Sequence, residues 1–170
     1  SEPAERTPPL TQVSRPIIPR LTGRVLLAED GIDNRRLLTA LLHKTGVETD
    51  VAENGAVAVQ MVKDAVAAGT PYNLILMDMQ MPELDGYGAA RILRDSGFYT
   101  PIIALTAHAC PDEKQKCFDA GCNDFEAKPV DRARFYEILC KYLVPADETQ
   151  QAAASLESNS ETAQNDSASV

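Results

Sequence analysis

The stretch NLILMDMQMPELDG, residues 73–86, decides the fold of this 170-residue chain. Its apolar run at 74–77 is typical of a strand that is buried on both faces of a parallel sheet. Asp78 follows directly, and a Met-Pro step and a Leu-Asp-Gly turn come next. An ionised carboxylate at the end of a buried strand costs free energy unless another group pairs with it. Asp78 is therefore either a capping residue or a chemically active one.

Short apolar runs alternate with amphipathic segments on both sides of this stretch. The pattern predicts strands over 24–28, 47–52, 74–77, 101–106 and 124–126, and helices over 33–45, 55–68, 85–95, 111–120 and 131–143. Five strand–helix units with right-handed crossovers favour a doubly wound α/β fold, in which helices cover both faces of one five-stranded parallel sheet. In such sheets ligands bind beyond the carboxyl ends of the strands.

Composition limits the kinds of partner that the chain can bind. The net charge is −9, which argues against a general binder of nucleic acid or of anionic membranes, since both need a basic surface. No stretch approaches the length of a membrane span. The four cysteines show no C-x-x-C pair, which favours reduced thiols. We therefore expect a cytoplasmic domain that makes no membrane contact.

Composition also divides the chain into three parts. Residues 1–22 contain five of the eleven prolines and are predicted to be a flexible linker. Residues 23–143 hold the alternating pattern and are predicted to form the folded domain. Residues 144–170 contain five acids and no Lys or Arg, and are predicted to be a disordered, acidic, polar tail.

Polar side chains end four of the predicted strands. Glu29 and Asp30 follow the first strand, Asp78 the third, Thr106 ends the fourth and Lys128 follows the fifth. All of them would lie at one edge of one parallel sheet. Three carboxylates in one place repel one another, and a divalent cation relieves that repulsion. Mg²⁺ is the expected ion because it takes oxygen ligands and keeps several waters.

This set of groups also suggests a reaction. A metal ion and the Lys128 ammonium would keep Asp78 ionised and nucleophilic. Carboxylates in such sites form aspartyl-phosphate intermediates. The cation, the ammonium and the Thr106 hydroxyl would stabilise the oxygens of a phosphoryl group during its transfer. The residues thus point to phosphoryl transfer onto Asp78.

The same motifs carry a resemblance to a known family. Residues 23–143 resemble the receiver domain of two-component response regulators, and are most similar to receivers attached to hybrid sensor histidine kinases. The motifs that carry the resemblance are Glu29-Asp30, Asp78 with Met81-Pro82 and Asp85-Gly86, Thr106-Ala107 and Lys128-Pro129. The resemblance implies a flavodoxin-like sheet with strand order 2-1-3-4-5.

The resemblance also implies a metal-binding role for four residues. Asp78 matches the phosphoacceptor and is also a metal ligand. Asp30 matches the direct acidic ligand, and Glu29 matches the acid that acts mainly through water. Gln80 matches the position that offers its backbone carbonyl to Mg²⁺.

Three further residues match the catalytic and switching positions of the family. Thr106 matches the hydroxyl that reorients toward the phosphoryl group, and Lys128 matches the lysine that pairs with it. Phe125 matches the aromatic residue that rotates inward when Thr106 moves. Phe125 carries no hydroxyl, so a signal that needs a tyrosine oxygen is not expected. Pro129 commonly follows the lysine through a cis peptide bond.

The function hypothesis is a phosphoacceptor domain of a phosphorelay. Asp78 would take a phosphoryl group from a phosphohistidine on a histidine kinase or a histidine phosphotransfer domain, with Mg²⁺ as cofactor, and the isolated domain would be a monomer. One alternative is a degenerate receiver that only binds partners. Another is an aspartyl phosphatase of the haloacid dehalogenase type, although such an enzyme would want Asp where Gln80 stands.

Overall fold

The computed structural model describes residues 17–146. Five strands form one parallel sheet, as the sequence predicts. They are β2 (Arg24–Ala28), β3 (Glu48–Ala52), β4 (Leu74–Asp78), β5 (Ile102–Thr106) and β6 (Asp124–Ala127), and they lie in the order β3-β2-β4-β5-β6. If the strands of this sheet alone are numbered 1 to 5 along the chain, their order is 2-1-3-4-5, as expected. The predicted linker residues 1–16 and tail residues 147–170 lie outside the described part.

Five helices connect the strands and cover both faces of the sheet. They are α1 (Ile32–Thr45), α2 (Gly55–Ala67), α3 (Gly86–Asp95), α4 (Pro111–Asp119) and α5 (Arg132–Tyr142). Helices α1 and α5 pack with one face, and α2, α3 and α4 pack with the other. The doubly wound α/β fold is therefore confirmed.

Strand β4 shows why an unbroken apolar run predicts a central strand. Leu74 and Leu76 belong to the cluster with α1 and α5, whereas Ile75 and Met77 belong to the cluster with the other three helices. Successive side chains of a strand point to opposite faces, so both faces must be apolar. Each such side chain stabilises the fold by roughly 1.5–3 kcal/mol when it is fully buried.

A short antiparallel ladder joins the two ends of the described chain. Strand β1 (Leu21–Thr22) pairs with strand β7 (Val144–Pro145), and the Ala146 N–H donates to the Arg20 carbonyl at 2.8 Å. Leu21 is buried in the cluster with α1 and α5. The sequence-based bounds of 23–143 exclude both strands, so this pairing adds residues from the predicted linker and tail to the packed domain. Two residues are too few to show a periodic pattern.

The helices between residues 17 and 146 are all too short or too polar to cross a membrane. The four cysteines are free; two of them are buried and two are exposed.

Candidate functional site

Neighbouring strands of the sheet bring the predicted polar residues to one edge. Asp78 is the last residue of β4 and lies opposite Leu105 of β5. Thr106 is the last residue of β5 and lies opposite Ala127, directly before Lys128. Parallel strands in register end at the same edge, so the strand ends place these side chains close together.

Three carboxylates meet at this edge. Oxygens of Glu29, Asp30 and Asp78 all lie within 4.8 Å of one another. Glu29 is 1% exposed and Asp78 is 2% exposed, whereas Asp30 is exposed to solvent. The predicted acidic cluster is therefore assembled in the folded chain, with one member facing water.

The Lys128 ammonium lies between the two buried carboxylates. Its Nζ is 3.1 Å from Asp78 Oδ1 and 3.6 Å from Glu29 Oε1. The Lys128 N–H donates to the Thr106 carbonyl at 2.8 Å, and the peptide bond to Pro129 is cis. The backbone of β5 thus helps to position the lysine, and one positive charge faces two buried negative charges.

Backbone donors hold the two buried carboxylates in place. The Gly31 N–H donates to Glu29 Oε2 at 3.0 Å, and the Gln80 N–H donates to Asp78 Oδ1 at 3.1 Å. Burial raises the pKa of Glu29, and repulsion from Asp78 adds to the rise, while the Gly31 N–H and Lys128 oppose it. Electrostatic repulsion between the two acids is thus only partly compensated by the protein.

The arrangement of oxygens fits a hard divalent cation. Glu29 Oε1 is buried and accepts no hydrogen bond from any group between residues 17 and 146. A buried oxygen without a hydrogen bond is costly, and Lys128 Nζ at 3.6 Å offsets that cost only in part, so a cation beside the oxygen would lower it further. Asp30 and Gln80 also line an open cleft beside the cluster, so a bound ion could keep waters. We conclude that these residues fit Mg²⁺.

The Thr106 hydroxyl is engaged by the loop that follows β5. Its Oγ1 donates to the His108 carbonyl at 3.0 Å and accepts from the His108 N–H at 3.2 Å. The hydroxyl is almost fully buried, at 3% exposure of the residue. The structure therefore places Thr106 at the site, but with its hydroxyl directed to the loop.

Two residues of α4 hold Phe125, and sequence reasoning missed both. The Phe125 ring lies edge to face with Phe118, with centroids 6.2 Å apart. Lys114 Nζ lies 4.7 Å from the Phe125 centroid, a cation–π distance. Lys114 and Phe118 are four residues apart on one helix, a spacing that puts them on the same face. From the sequence, that spacing could have indicated that Lys114 and Phe118 contact the same residue, but it could not have identified that residue as Phe125.

Comparison with known proteins settles the family. The family model described as the response regulator receiver domain matches residues 25–140. The chain belongs to the response regulator receiver family. Within the described residues, the receiver domain thus accounts for almost the whole fold.

Two relatives show the range of proteins that contain this domain. The receiver is 44% identical over 121 residues to the two-component response regulator ORR41 of Oryza sativa subsp. japonica, covering 70% of this chain and 93% of that protein. It is 38% identical over 128 residues to hybrid signal transduction histidine kinase L of Dictyostelium discoideum, covering 72% of this chain. It spans only 7% of the length of that kinase.

Two solved structures of receiver domains also support membership in this family. The receiver domain of the sensor histidine kinase PA1611 from Pseudomonas aeruginosa PAO1, with magnesium in its active-site cleft, is 36% identical at a TM-score of 0.64. The alignment covers 71% of this chain and 97% of that one. The complex of the Saccharomyces cerevisiae phosphotransfer protein Ypd1 with the Ssk1 receiver matches at 31% identity and a TM-score of 0.65, covering 74% and 90%.

Proposed function

We propose that this receiver takes a phosphoryl group from a phosphohistidine onto Asp78, using Mg²⁺, and changes conformation as a result. The observation that carries the proposal is the placement of Lys128 Nζ at 3.1 Å from Asp78 Oδ1, inside a cluster of three carboxylates. An Asp that only stabilises the fold needs a single hydrogen-bonding or ionic partner. Asp78 has an ammonium beside it and also two further carboxylates, which repel it. That excess of acid favours a cation-assisted reaction over a capping role.

The positions of the side chains support the following course of the transfer. An oxygen of Asp78 forms a bond to phosphorus while the bond from phosphorus to the imidazole nitrogen breaks, and the imidazole leaves with that electron pair. Bound Mg²⁺, held by Asp30, Asp78 and the Gln80 carbonyl with Glu29 acting through water, would neutralise charge on the phosphoryl oxygens. Lys128 already contacts Asp78 and would pair with a phosphoryl oxygen.

The proposed switch involves Thr106 and Phe125. The Thr106 hydroxyl would leave the His108 carbonyl and donate to a phosphoryl oxygen, since a charged acceptor forms the stronger hydrogen bond. The space that it leaves would admit Phe125, which would then separate from Lys114 and Phe118. The acyl phosphate would thus shift a two-state equilibrium at the β5 edge of the sheet.

The setting of the reaction is also part of the proposal. The relatives include a hybrid kinase, and one structural neighbour is a complex with a histidine phosphotransfer protein. We therefore place this receiver in a cytoplasmic phosphorelay, as part of a hybrid sensor histidine kinase or beside one. Its partner would be a histidine kinase or a histidine phosphotransfer domain, and the isolated domain would be monomeric. Nucleic acid is not an expected ligand.

An intact-mass measurement tests the proposal. The protein is incubated with Mg²⁺ and acetyl phosphate, and then its mass is recorded beside Asp78→Asn and Asp85→Asn variants. Asp85 caps α3 by accepting from the Gly88 N–H at 2.8 Å, a role that Asn also performs, so it is a matched control in the same loop. One added phosphoryl group is expected in the parent and in Asp85→Asn only.

A negative result would be followed with a phosphohistidine donor. If neither donor labels Asp78 and Mg²⁺ does not bind in a calorimetric titration, the proposal is wrong. The degenerate-receiver alternative would then describe the chain, with the acidic cluster as a remnant of an active site.

A further inference from the structure

An open groove runs along the outer face of α1, beside the edge strand β3. Its volume is 510 Å³. Side chains at helical spacing line it over almost the whole length of α1, and one residue of β3 completes it: Ile32, Arg35, Arg36, Thr39, Ala40, His43 and Val51. Ile32 is 59% exposed, the highest exposure of any large apolar side chain in the helices of residues 17–146. The groove is thus an apolar strip with basic edges.

The basic residues of the groove have no acidic partner in the described part of the chain. Between residues 17 and 146, no carboxylate forms an ion pair with Arg35, Arg36 or His43. The chain is acidic as a whole, so a patch whose arginines form no ion pair within residues 17–146 differs in charge from the rest of the protein. Such a patch favours an acidic occupant.

The described chain ends close to one end of this groove. Ala146 is hydrogen-bonded to Arg20, and the carbonyl of Leu21 lies 3.6 Å from the position that a Cβ at Gly46 would take. Gly46 is the C-cap of α1, three residues after His43. The segment that follows Ala146 therefore leaves the domain near the C-terminal end of α1, where the groove begins.

We propose that the acidic segment 147–166 binds in the α1 groove of its own domain. The segment contains five acids (Asp147, Glu148, Glu157, Glu161 and Asp166) and no Lys or Arg. The N-terminal segment 1–16 has two acids and two arginines, so charge selects the C-terminal one. The length also fits, because a 14-residue helix is about 21 Å long and a coil of 20 residues spans roughly 25 Å.

The far end of the groove lies beside the proposed reaction site. Ile32 is two residues from Asp30, one of the three clustered carboxylates. A protein that brings a phosphohistidine to Asp78 has to reach the open cleft that Asp30 lines, and its surface would extend over the neighbouring start of α1, whereas a small phosphodonor need not contact α1. Bound segment 147–166 therefore competes with a protein donor. This consequence rests on the proposed function, but the docking itself does not.

Backbone-amide NMR of the full chain tests the docking directly. The test variant neutralises the segment (Asp147→Asn, Glu148→Gln, Glu157→Gln, Glu161→Gln and Asp166→Asn). The matched control is Glu2→Gln with Glu5→Gln, which neutralises the acids of the N-terminal segment. We expect the amide signals of 32–43 and of Val51 to move in the test variant and to stay in place in the control. In the parent, 0.5 M NaCl should reproduce the shifts, because salt screens exposed charges.

Kinetics then measure the consequence. Phosphoryl transfer from a phosphohistidine-carrying protein should be about threefold or more faster in the neutralised variant, since a tethered segment acts at an effective concentration near the millimolar range. Labelling by acetyl phosphate should be unchanged. If no donor labels Asp78, the proposed function fails while the NMR comparison still decides the docking.

Two results would overturn the proposal. The first is a spectrum in which the α1 and Val51 signals are the same in the parent and the neutralised variant. The second is a set of shifts that grows with protein concentration, which would identify a second copy of the chain as the occupant.

Discussion

At the scale of single residues, the site is a balance between two buried carboxylates and one ammonium. Glu29, Asp78 and Lys128 were all predictable from the sequence, because each directly ends or follows a strand of a parallel sheet. The hydrogen bonds of Thr106 with His108 were not predictable, since a loop conformation decides which group a hydroxyl reaches. The sequence thus predicts which residues meet at the site, but it does not predict the hydrogen-bond partner of each polar atom.

The Lys128 ammonium competes with a divalent cation for the same carboxylates. Lys128→Gln should therefore bind Mg²⁺ about tenfold more tightly, since removing a unit charge a few ångströms away is worth more than 1 kcal/mol. The same change should slow phosphoryl incorporation about a hundredfold, because a stabilising charge is lost. Calorimetry and timed intact mass measure the two effects. Lys114→Gln, which removes an ammonium from Phe125 instead, is the control, and weaker Mg²⁺ binding in Lys128→Gln would contradict the account.

The raised pKa of Glu29 predicts a pH dependence of folding. Because the folded protein holds this proton more tightly than the unfolded chain does, Glu29 contributes stability below its ordinary pKa of 4.5 and loses that contribution as pH rises through the raised value. In metal-free buffer at pH 7.5, Glu29→Gln should therefore unfold at higher urea than the parent. The difference between the urea midpoints of the variant and the parent should become smaller as the pH is lowered toward 4.5.

Saturating Mg²⁺ is the control for this experiment. A bound cation stabilises the parent through the carboxylate that the variant lacks, so the order of the two urea midpoints should reverse. A variant that is less stable than the parent in metal-free buffer at pH 7.5 would argue against repulsion at Glu29.

At the scale of elements, the start of α3 is packed directly against the end of β4. A Cβ at Gly86 would overlap the Asp78 carbonyl oxygen and lie 2.8 Å from Met79 Cα, both of which are backbone atoms. The sequence pattern predicted the helix and the strand, since each is long enough to be periodic. It could not predict this close approach, because it depends on how two elements cross.

The close approach makes Gly86 sensitive to a single added carbon. Gly86→Ala should cost about 1–3 kcal/mol of unfolding free energy, since the neighbouring backbone must move. It should also weaken Mg²⁺ binding, because that backbone carries Asp78. Urea denaturation and metal titration measure both effects.

Gly88→Ala is the matched control in the same helix. A Cβ there would meet the end of the Leu84 side chain at 2.7 Å, which can turn away, and alanine favours the helix by about 1 kcal/mol. Equal losses of stability in the two variants would contradict the packing argument.

At the scale of the whole molecule, the ladder of β1 and β7 brings the two ends of the described domain together. The α/β order of the sheet was predictable from the five apolar runs. The ladder was not, because each strand has only two residues and their pairing joins positions more than 120 residues apart. The packed domain is thus slightly longer at both ends than the periodic pattern indicates.

Leu21 tests whether this ladder contributes to stability. Leu21 is 2% exposed, so Leu21→Ala should lower the unfolding free energy by about 2–4 kcal/mol through lost burial and a cavity. Val144 in the paired strand is 57% exposed, and Val144→Ala should change the unfolding free energy by less than about 0.5 kcal/mol. Urea unfolding of the full chain measures both, and a loss at Leu21 no larger than that at Val144 would show that the ladder is not part of the core.

The most direct test of the central claim maps the modified residue itself. The protein is treated with Mg²⁺ and a phosphohistidine-carrying donor and then reduced with borohydride, which converts an aspartyl phosphate to homoserine, and its peptides are sequenced by mass spectrometry. We expect homoserine at position 78 and at no other acid of the chain. An unchanged Asp78, or homoserine at Asp30 or Asp85 instead, would contradict it.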